Sequence, residues 1–270
     1  MTLSTVPTGA SISDKLALPG ETPALRLFAL LEYIVGKDHF VSLGSLVEEL
    51  DLPKPTMHRM LSQLESDGLL MRQPDGRHYG TGARLREFAE TLMLNTVQHG
   101  ARRAVLRHLV QETGETCNIT ALSSNEIIYL DRVETTEPLR FLLRPGSRVP
   151  AHASASGKLI LSQLSAAGRH KAFGHSPLRA YTEKTITSPK ALNVELDQIR
   201  AQGYAIDDEE CLPGLVCVAV LVPSGEERSN MCVAAQAPVM RLNKHNATGL
   251  LPALRRAAES LVAIETEASQ

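Results

Sequence analysis

The run Lys54-Pro55-Thr56-Met57-His58-Arg59-Met60-Leu61 holds the residues whose types and spacing best suit chemistry with a partner. On a helix, Met57, Met60, Leu61 and Leu64 fall on one side. Pro55, Arg59 and Ser62 lie opposite, flanked by Thr56, His58 and Gln63. That polar side suits the major groove of DNA, with Thr56, His58 and Arg59 toward base edges and Lys54 on a phosphate. Further along, Arg72, Arg77 and His78 are placed to reach the adjacent backbone or minor groove, and Ser42 is assigned to the same DNA-facing set.

Such side chains need a frame, and Ser42 to Gly82 supplies one. Leu43, Leu46, Val47 and Leu50 form a helical stripe behind Ser42, a suitable N-cap. Asp51-Leu52-Pro53 breaks that helix, and the next opens with Pro55 in its first turn and ends at Gly68. Leu69 to Arg72 and Arg77 to Tyr79 then flank the turn Gln73-Pro74-Asp75-Gly76, whose Asp-Gly pair marks a β-hairpin. Upstream, Leu27, Leu30, Leu31 and Ile34 follow a Thr22-Pro23 start and complete a helical core. The order is that of a winged helix-turn-helix. An ordinary αα-hairpin followed by a β-hairpin, with no nucleic acid in view, has the same pattern.

Charge is distributed to match. The whole chain carries a net charge of −2 over 270 residues. Met1 to Pro53 has three Lys/Arg against seven Asp/Glu, whereas Lys54 to Arg107 has nine against five, and the remainder sixteen against eighteen. The basic excess therefore sits in the recognition helix, the wing and the helix that follows, and phosphate contact needs only a local basic face. No apolar run approaches the roughly 20 residues of a membrane span. The N-terminal MTLSTVPTGASISDK lacks the features of a signal peptide, so a cytoplasmic protein is expected, mobile up to about Glu21. Cys117, Cys211, Cys217 and Cys232 have no metal-site or disulfide spacing and read as reduced thiols.

After the hairpin, Leu85, Phe88, Ala89, Leu92 and Thr96 line one side of a helix over residues 83–100, read as a rigid connector and dimer contact. From Ala101 the rhythm changes. The patterning predicts a helix at Ala101–Glu112, strands at Thr116–Leu122, Glu126–Val133 and Leu139–Leu143, and helices at Ser154–Leu164 and Ser188–Ala201. Strands at Tyr204–Asp207, Val216–Val222 and Met231–Gln236 follow, with a closing amphipathic helix from Leu250 to Ile264. The expected class is α+β, a mixed sheet with helices packed on it. The domains are a tail (1–21), the winged helix-turn-helix (22–82), the connector (83–100) and a ligand-binding domain (101–265).

The segments LPKPTMHRML, ETGETCNITAL, EIIYLDRVE, HASASGKLIL, YTEKTIT, GYAIDDEECLPGLVCVAV and APVMRL carry a resemblance. In their order and spacing the chain resembles the IclR family of bacterial transcription regulators, from Thr22 to about Ala263. The resemblance implies a PAS/GAF-like effector-binding domain, dimers or tetramers on double-stranded operator DNA, and control by a small organic acid. The family usually has a small hydroxyl residue where Pro55 stands, so one phosphate contact is expected to be missing.

Carried over by position, backbone amides at Ala155, Ser156 and Gly157 would grip an effector carboxylate, as helix N-termini do. The same stretch, ASASG, also suits a small-residue helix start packed tightly on a strand. Asp207 matches a polar pocket position, Phe141, Val149, Leu215 and Cys217 match walls, and Ala234 and Gln236 replace small hydroxyl residues of well-known members. That replacement argues against a glyoxylate-like ligand and toward an aromatic or longer aliphatic carboxylate. The implied function is a repressor of a catabolic operon released by such an acid, an activator of the same type being the alternative. No nucleotide loop, zinc motif or nucleophile elbow is present, and no cofactor or metal is expected. An enzyme acting on a small acid through the run Asp207 to Glu210 is the rival reading.

Overall fold

Thr22 starts the first helix of the chain: its hydroxyl accepts from the Leu25 amide at 3.3 Å, and Pro23 fills a position that needs no amide. The structure, a computed structural model, describes residues 16–20, 22–94, 99–123, 125–174, 177–224 and 228–267. It divides into two compact units, residues 1–85 and 86–270.

In the first unit, helix α1 (Pro23–Gly36) is followed by strand β1 (Val41–Ser42), helices α2 (Leu43–Glu49) and α3 (Lys54–Ser66), and strands β2 (Leu70–Arg72) and β3 (His78–Thr81). Leu30, Leu31 and Ile34 of α1, Leu46 of α2, and Met57, Met60, Leu61 and Leu64 of α3 bury together with Tyr79 of the hairpin. This is the core that the helical spacing predicts. The strands form a three-stranded antiparallel sheet in the order β1-β3-β2, with the short β1 an addition that the sequence reading lacks. Gly76, at φ +69°, makes the hairpin turn, where an L side chain would be strained.

The expected mobile tail is corrected in part. Leu16 donates to the Glu49 carbonyl at 3.0 Å and accepts from the Asp51 amide at 2.9 Å, while Leu18 packs on the core. Residues 1–15 and Glu21 lie outside the described residues. The connector begins as α4 (Ala83–Leu94), with Phe88 and Leu92 exposed by 59% and 56%. Thr96 falls outside the described residues, and α5 runs over His99–Thr113.

The second unit is built on a six-stranded sheet. Strands β4 (Thr116–Ser123), β5 (Glu126–Val133), β6 (Arg148–Pro150), β7 (Ala205–Asp208), β8 (Leu215–Leu221) and β9 (Met231–Pro238) lie in the order β6-β5-β4-β9-β8-β7. Every pairing in it is antiparallel, not mixed as expected. The helices that intervene, α6 (Ala155–Ser162), α7 (Ala166–Phe173) and α8 (Pro189–Gln202), lie between β6 and β7, which occupy opposite edges. The long crossover therefore imposes no parallel pair. Residues 139–143 form loop, not the expected strand.

Alternation sorts side chains to two faces. Cys117, Ile119 and Ala121 of β4 and Val216, Val218 and Val220 of β8 pack against α5 and the closing helix α9 (Leu251–Glu267). Ala219, Cys232 and Ala234 pack on the other face against α6 and α8. Gly157 is what lets α6 lie so close: a Cβ there would fall 2.1 Å from the Ala151 carbonyl oxygen. No described helix is long and apolar enough to cross a membrane.

Replacing Gly157 with Ala forces two backbones apart, so a loss of about 2 kcal/mol or more is expected. Gly249→Ala meets nothing within 4 Å and serves as the control. Thermal melts check this: equal melting temperatures for the two variants would contradict the close packing of α6.

Candidate functional site

The first unit presents its polar residues where helical geometry sends them. Lys54, His58 and Arg59 are exposed along α3, and Thr56 is half-buried. Pro53, at the N-cap of α3, offers no side-chain cap, so the first amides of the helix also face outward for an anion. In the hairpin, Arg77 is exposed, while the Asp75 carboxylate accepts from the Arg77 amide at 2.8 Å and the His78 amide at 3.0 Å. These bonds and the His78 ring hold Asp75 down at about 2.

Three residues of the expected set are already engaged. Ser42 accepts from the Ser45 amide at 3.0 Å while its own amide donates to Ser45 Oγ at 3.0 Å, a reciprocal capping box that starts α2. Its hydroxyl is a cap and not a free donor to DNA. Arg72 donates to the Glu65 carboxylate through Nη2 at 2.8 Å and Nε at 3.1 Å, with its guanidinium 4.9 Å above the Tyr79 ring. His78 is bound to Asp75. Both would have to exchange these partners for a phosphate.

In the second unit, strand register decides the floor of a cavity. Asp207 pairs with Cys217, Cys217 with Gln236, Ala234 with Asn118, Thr120 with Tyr129, and Ile127 with Val149. Opposed residues in an antiparallel pair point the same way, so these side chains share one face. Over part of that face lies a cavity of about 140 Å³. Its walls include Ile127, Tyr129, Leu143, Val149, Leu212, Leu215 and Ala234, and its polar rim Asn118, Thr120, Ser154, Ser156 and Asp207.

Helix α6 begins on this cavity at Ala155 and Ser156. Ser154, at its N-cap, makes no capping bond, and Ser154 Oγ and Thr120 Oγ1 are buried without a protein partner. Asp207 closes the other side. It is 2% exposed, and its Oδ1 accepts from the Glu210 amide at 2.7 Å and the Cys211 amide at 3.3 Å. Burial, then the Glu210 charge, raise its pKa to about 7. Beneath both, the fully buried Lys158 ammonium of α6 binds the Glu210 carboxylate, the Ile206 carbonyl at 2.8 Å and Glu195 at 3.4 Å. Burial pushes the Glu210 carboxyl upward despite that partner. Burial also lifts the Cys211 thiol to about 12 and Cys217 well above its ordinary value, so both act as apolar wall.

Of the pocket residues assigned in the sequence reading, Val149, Ala155, Ser156, Asp207, Leu215, Cys217 and Ala234 line one cavity. Three of them do not. Gly157 is spent on packing against Ala151. Gln236 lies beside the floor, its Oε1 accepting from Asn118 Nδ2 at 3.2 Å and Tyr129 OH at 3.3 Å. Phe141 sits in the loop, where its carbonyl accepts from Arg132, and Leu143 takes the wall position. The sequence reading missed Asn118, Thr120, Tyr129 and Ser154. The signal was present as polar residues at alternate positions of an otherwise apolar strand.

Among the described residues no cluster of His, Cys, Asp and Glu is arranged to hold a metal ion.

Comparison with known proteins gives consistent results. The family described as bacterial transcriptional regulator IclR C-terminal matches residues 94–263, and the IclR helix-turn-helix domain matches residues 23–74. A probable transcriptional regulator, SauR of Cupriavidus necator, is 42% identical over 88% of this chain and 95% of its own length. The transcriptional repressor IclR of Escherichia coli is 32% identical over 83% and 82% of the two chains. The crystal structure of the Thermotoga maritima IclR superposes with a TM-score of 0.59 at 26% identity, covering 88% of this chain and 96% of that one.

The raised Asp207 carboxyl fixes a pH dependence. A group whose folded pKa lies above its unfolded value costs stability as pH rises through the folded value, here from about pH 4 to above pH 7. Asp207→Asn keeps the acceptor oxygen and removes the charge. It is expected to raise the melting temperature by a few degrees at pH 8 and to leave it unchanged near pH 4, as melts across that range will show.

Proposed function

The chain belongs to the IclR family of bacterial transcriptional regulators, as a ligand-responsive DNA-binding regulator, and on that premise we propose that it represses a catabolic operon until a small organic acid releases it. The observation that supports this reading is the uncapped start of α6 on a cavity opposite Asp207. The carboxylate accepts from the Ala155 and Ser156 amides, with Ser154 and Thr120 as further donors. Asp207, poised near neutrality, donates its proton to the acid when neutral and repels it when charged.

A cavity of about 140 Å³ is small beside the roughly 300–1,000 Å³ typical of drug-sized ligands, so the acid is compact. Ile127, Tyr129, Val149 and Leu215 call for an apolar body, an aromatic ring included. The chain binds this acid without turning it over. It acts in the cytoplasm as a homodimer or a dimer of dimers, the exposed Phe88 and Leu92 of α4 supplying a helix face for a second copy.

On DNA, the exposed side of α3 enters the major groove with Arg59 and His58 at base edges, Thr56 beside them and Lys54 on a phosphate. Arg77 extends the contact from the hairpin. Binding of the acid shifts the dimer between states that present the two recognition helices differently.

Arg59→Ala is expected to lower operator affinity by about 1–3 kcal/mol while leaving dimerisation and acid binding intact. Gel shifts and footprinting measure it, and an unchanged footprint would remove Arg59 from the interface. The coupling must also be reciprocal: operator DNA should change acid affinity by the same factor as the acid changes operator affinity, typically about 5–150-fold. Identical acid titrations with and without operator would rule out the switch.

A further inference from the structure

A second cleft of the ligand-binding unit carries a charge pattern that the acid pocket does not use. It has a volume of about 540 Å³ and is lined by Arg103 and Arg107 of α5, Arg132 of β5, Arg144 of the following loop, and a single acid, Glu134. Arg103, Arg107 and Arg144 are exposed. Glu134 is already drawn to Arg140, whose Nε lies 3.0 Å away.

Arg132 is the unusual member. It is 5% exposed, and one Nη donates to the Phe141 carbonyl. Its Nε and Nη1 have no hydrogen-bond partner, and Glu134 Oε1 makes only a long ion pair with it, 3.9 Å from Nε. A buried guanidinium with two idle donors and only a long, shared ion pair is costly unless a further anion completes it. Its position is no accident of the loop. The register shift between Ile119 and Thr120 brings both Tyr129 and Arg132 to the face of the sheet that floors the acid pocket, with Arg132 opposite Asn118. Leu143 lines both cavities.

We propose that this cleft is a second anion-binding site, taking an oxyanion group of the phosphate, sulfonate or carboxylate class on Arg132, with Arg103, Arg107 and Arg144 as its rim. Planar guanidinium groups bind such oxygens in pairs, and four of them facing one acid leave a surplus of positive charge. The anion has two possible sources, a free ion or the distal acidic group of an effector seated past Leu143. The chemistry at Arg132 is the same for both.

The test uses the full-length protein in low-salt buffer, titrated by calorimetry with inorganic phosphate, with benzoate, and with the dicarboxylate phthalate. Arg107→Ala/Arg144→Ala alters only exposed residues, and Arg132→Met removes the anchor. A free-ion site predicts saturable phosphate binding, weakened about tenfold or more in the double variant, with benzoate unaffected. An effector-tail site predicts that phthalate binds more tightly than benzoate and loses that advantage in both variants. The proposal is overturned if wild-type protein neither binds phosphate nor prefers phthalate, or if the double variant behaves as wild type. Benzoate binding reports on the acid pocket separately, so its loss alone counts against the acid reading and not against this cleft.

Discussion

Helix α6 starts in the interior, and a buried helix start is a debt of unpaired amides that something must meet. Most helices settle it locally, as Thr22, Ser165 and Ser188 do here with side-chain caps. Ser154 does not, although it is the right residue type at the right place. The protein thus holds a positive dipole end and a free hydroxyl against a cavity. What keeps α6 there is Lys158 on its inner side, whose fully buried ammonium ties the helix to β7 and to the turn after it. Removing either partner would leave an uncompensated buried charge, which is why the ion pair serves position more than stability.

The turn after β7 is shaped for the same purpose. Glu209 adopts φ +62°, rare for a residue with a side chain, and its carboxylate accepts from the Gly214 amide at 2.8 Å while Lys184 Nζ stands 2.6 Å away. That local cost is offset by a result: the Glu210 and Cys211 amides turn back onto Asp207. The acidic run therefore splits by function. Asp207 and Glu210 are buried and raised, while Asp208 and Glu209, paired with Lys184, are held below the usual carboxylate range.

Much of this was legible in the residues. The apolar stripes of α1, α2 and α3 and the Asp-Gly turn specify the first unit because local periodicity and core packing agree there. The strands of the second unit are equally plain, but their pairing is not, since alternation says which way side chains face and nothing about neighbours. The segment 139–143 shows the limit: its apolar pattern, Leu139 to Leu143, looks like a strand, yet it is loop around Phe141 and Leu143. Gly157 shows another, because close backbone packing and an anion-gripping amide require the same small residue. The roles of Arg132 and Tyr129 depend on a register shift, a feature of pairing that no single strand carries.

Specificity in the proposed acid pocket follows from what is left unpaired. Thr120 Oγ1 and Ser154 Oγ, both on the cavity, are buried without a partner, and each such group costs about 1–3 kcal/mol while it stays so. A ligand that satisfies the pair at the α6 end recovers that cost. An isostere lacking the oxygens does not, however well its body fits the apolar walls. Discrimination by apolar fit alone is limited to about 1–3 kcal/mol per methylene, whereas a site with waiting polar groups rejects a ligand lacking the matching group by far more. On the proposed reading, the cavity therefore selects first for an acidic head and only second for the body. The replacement of hydroxyl residues by Ala234 and Gln236 fits that division. Ala234 widens the apolar wall, and Gln236 turns its oxygen to Asn118 and Tyr129, fixing the floor instead of reaching the ligand.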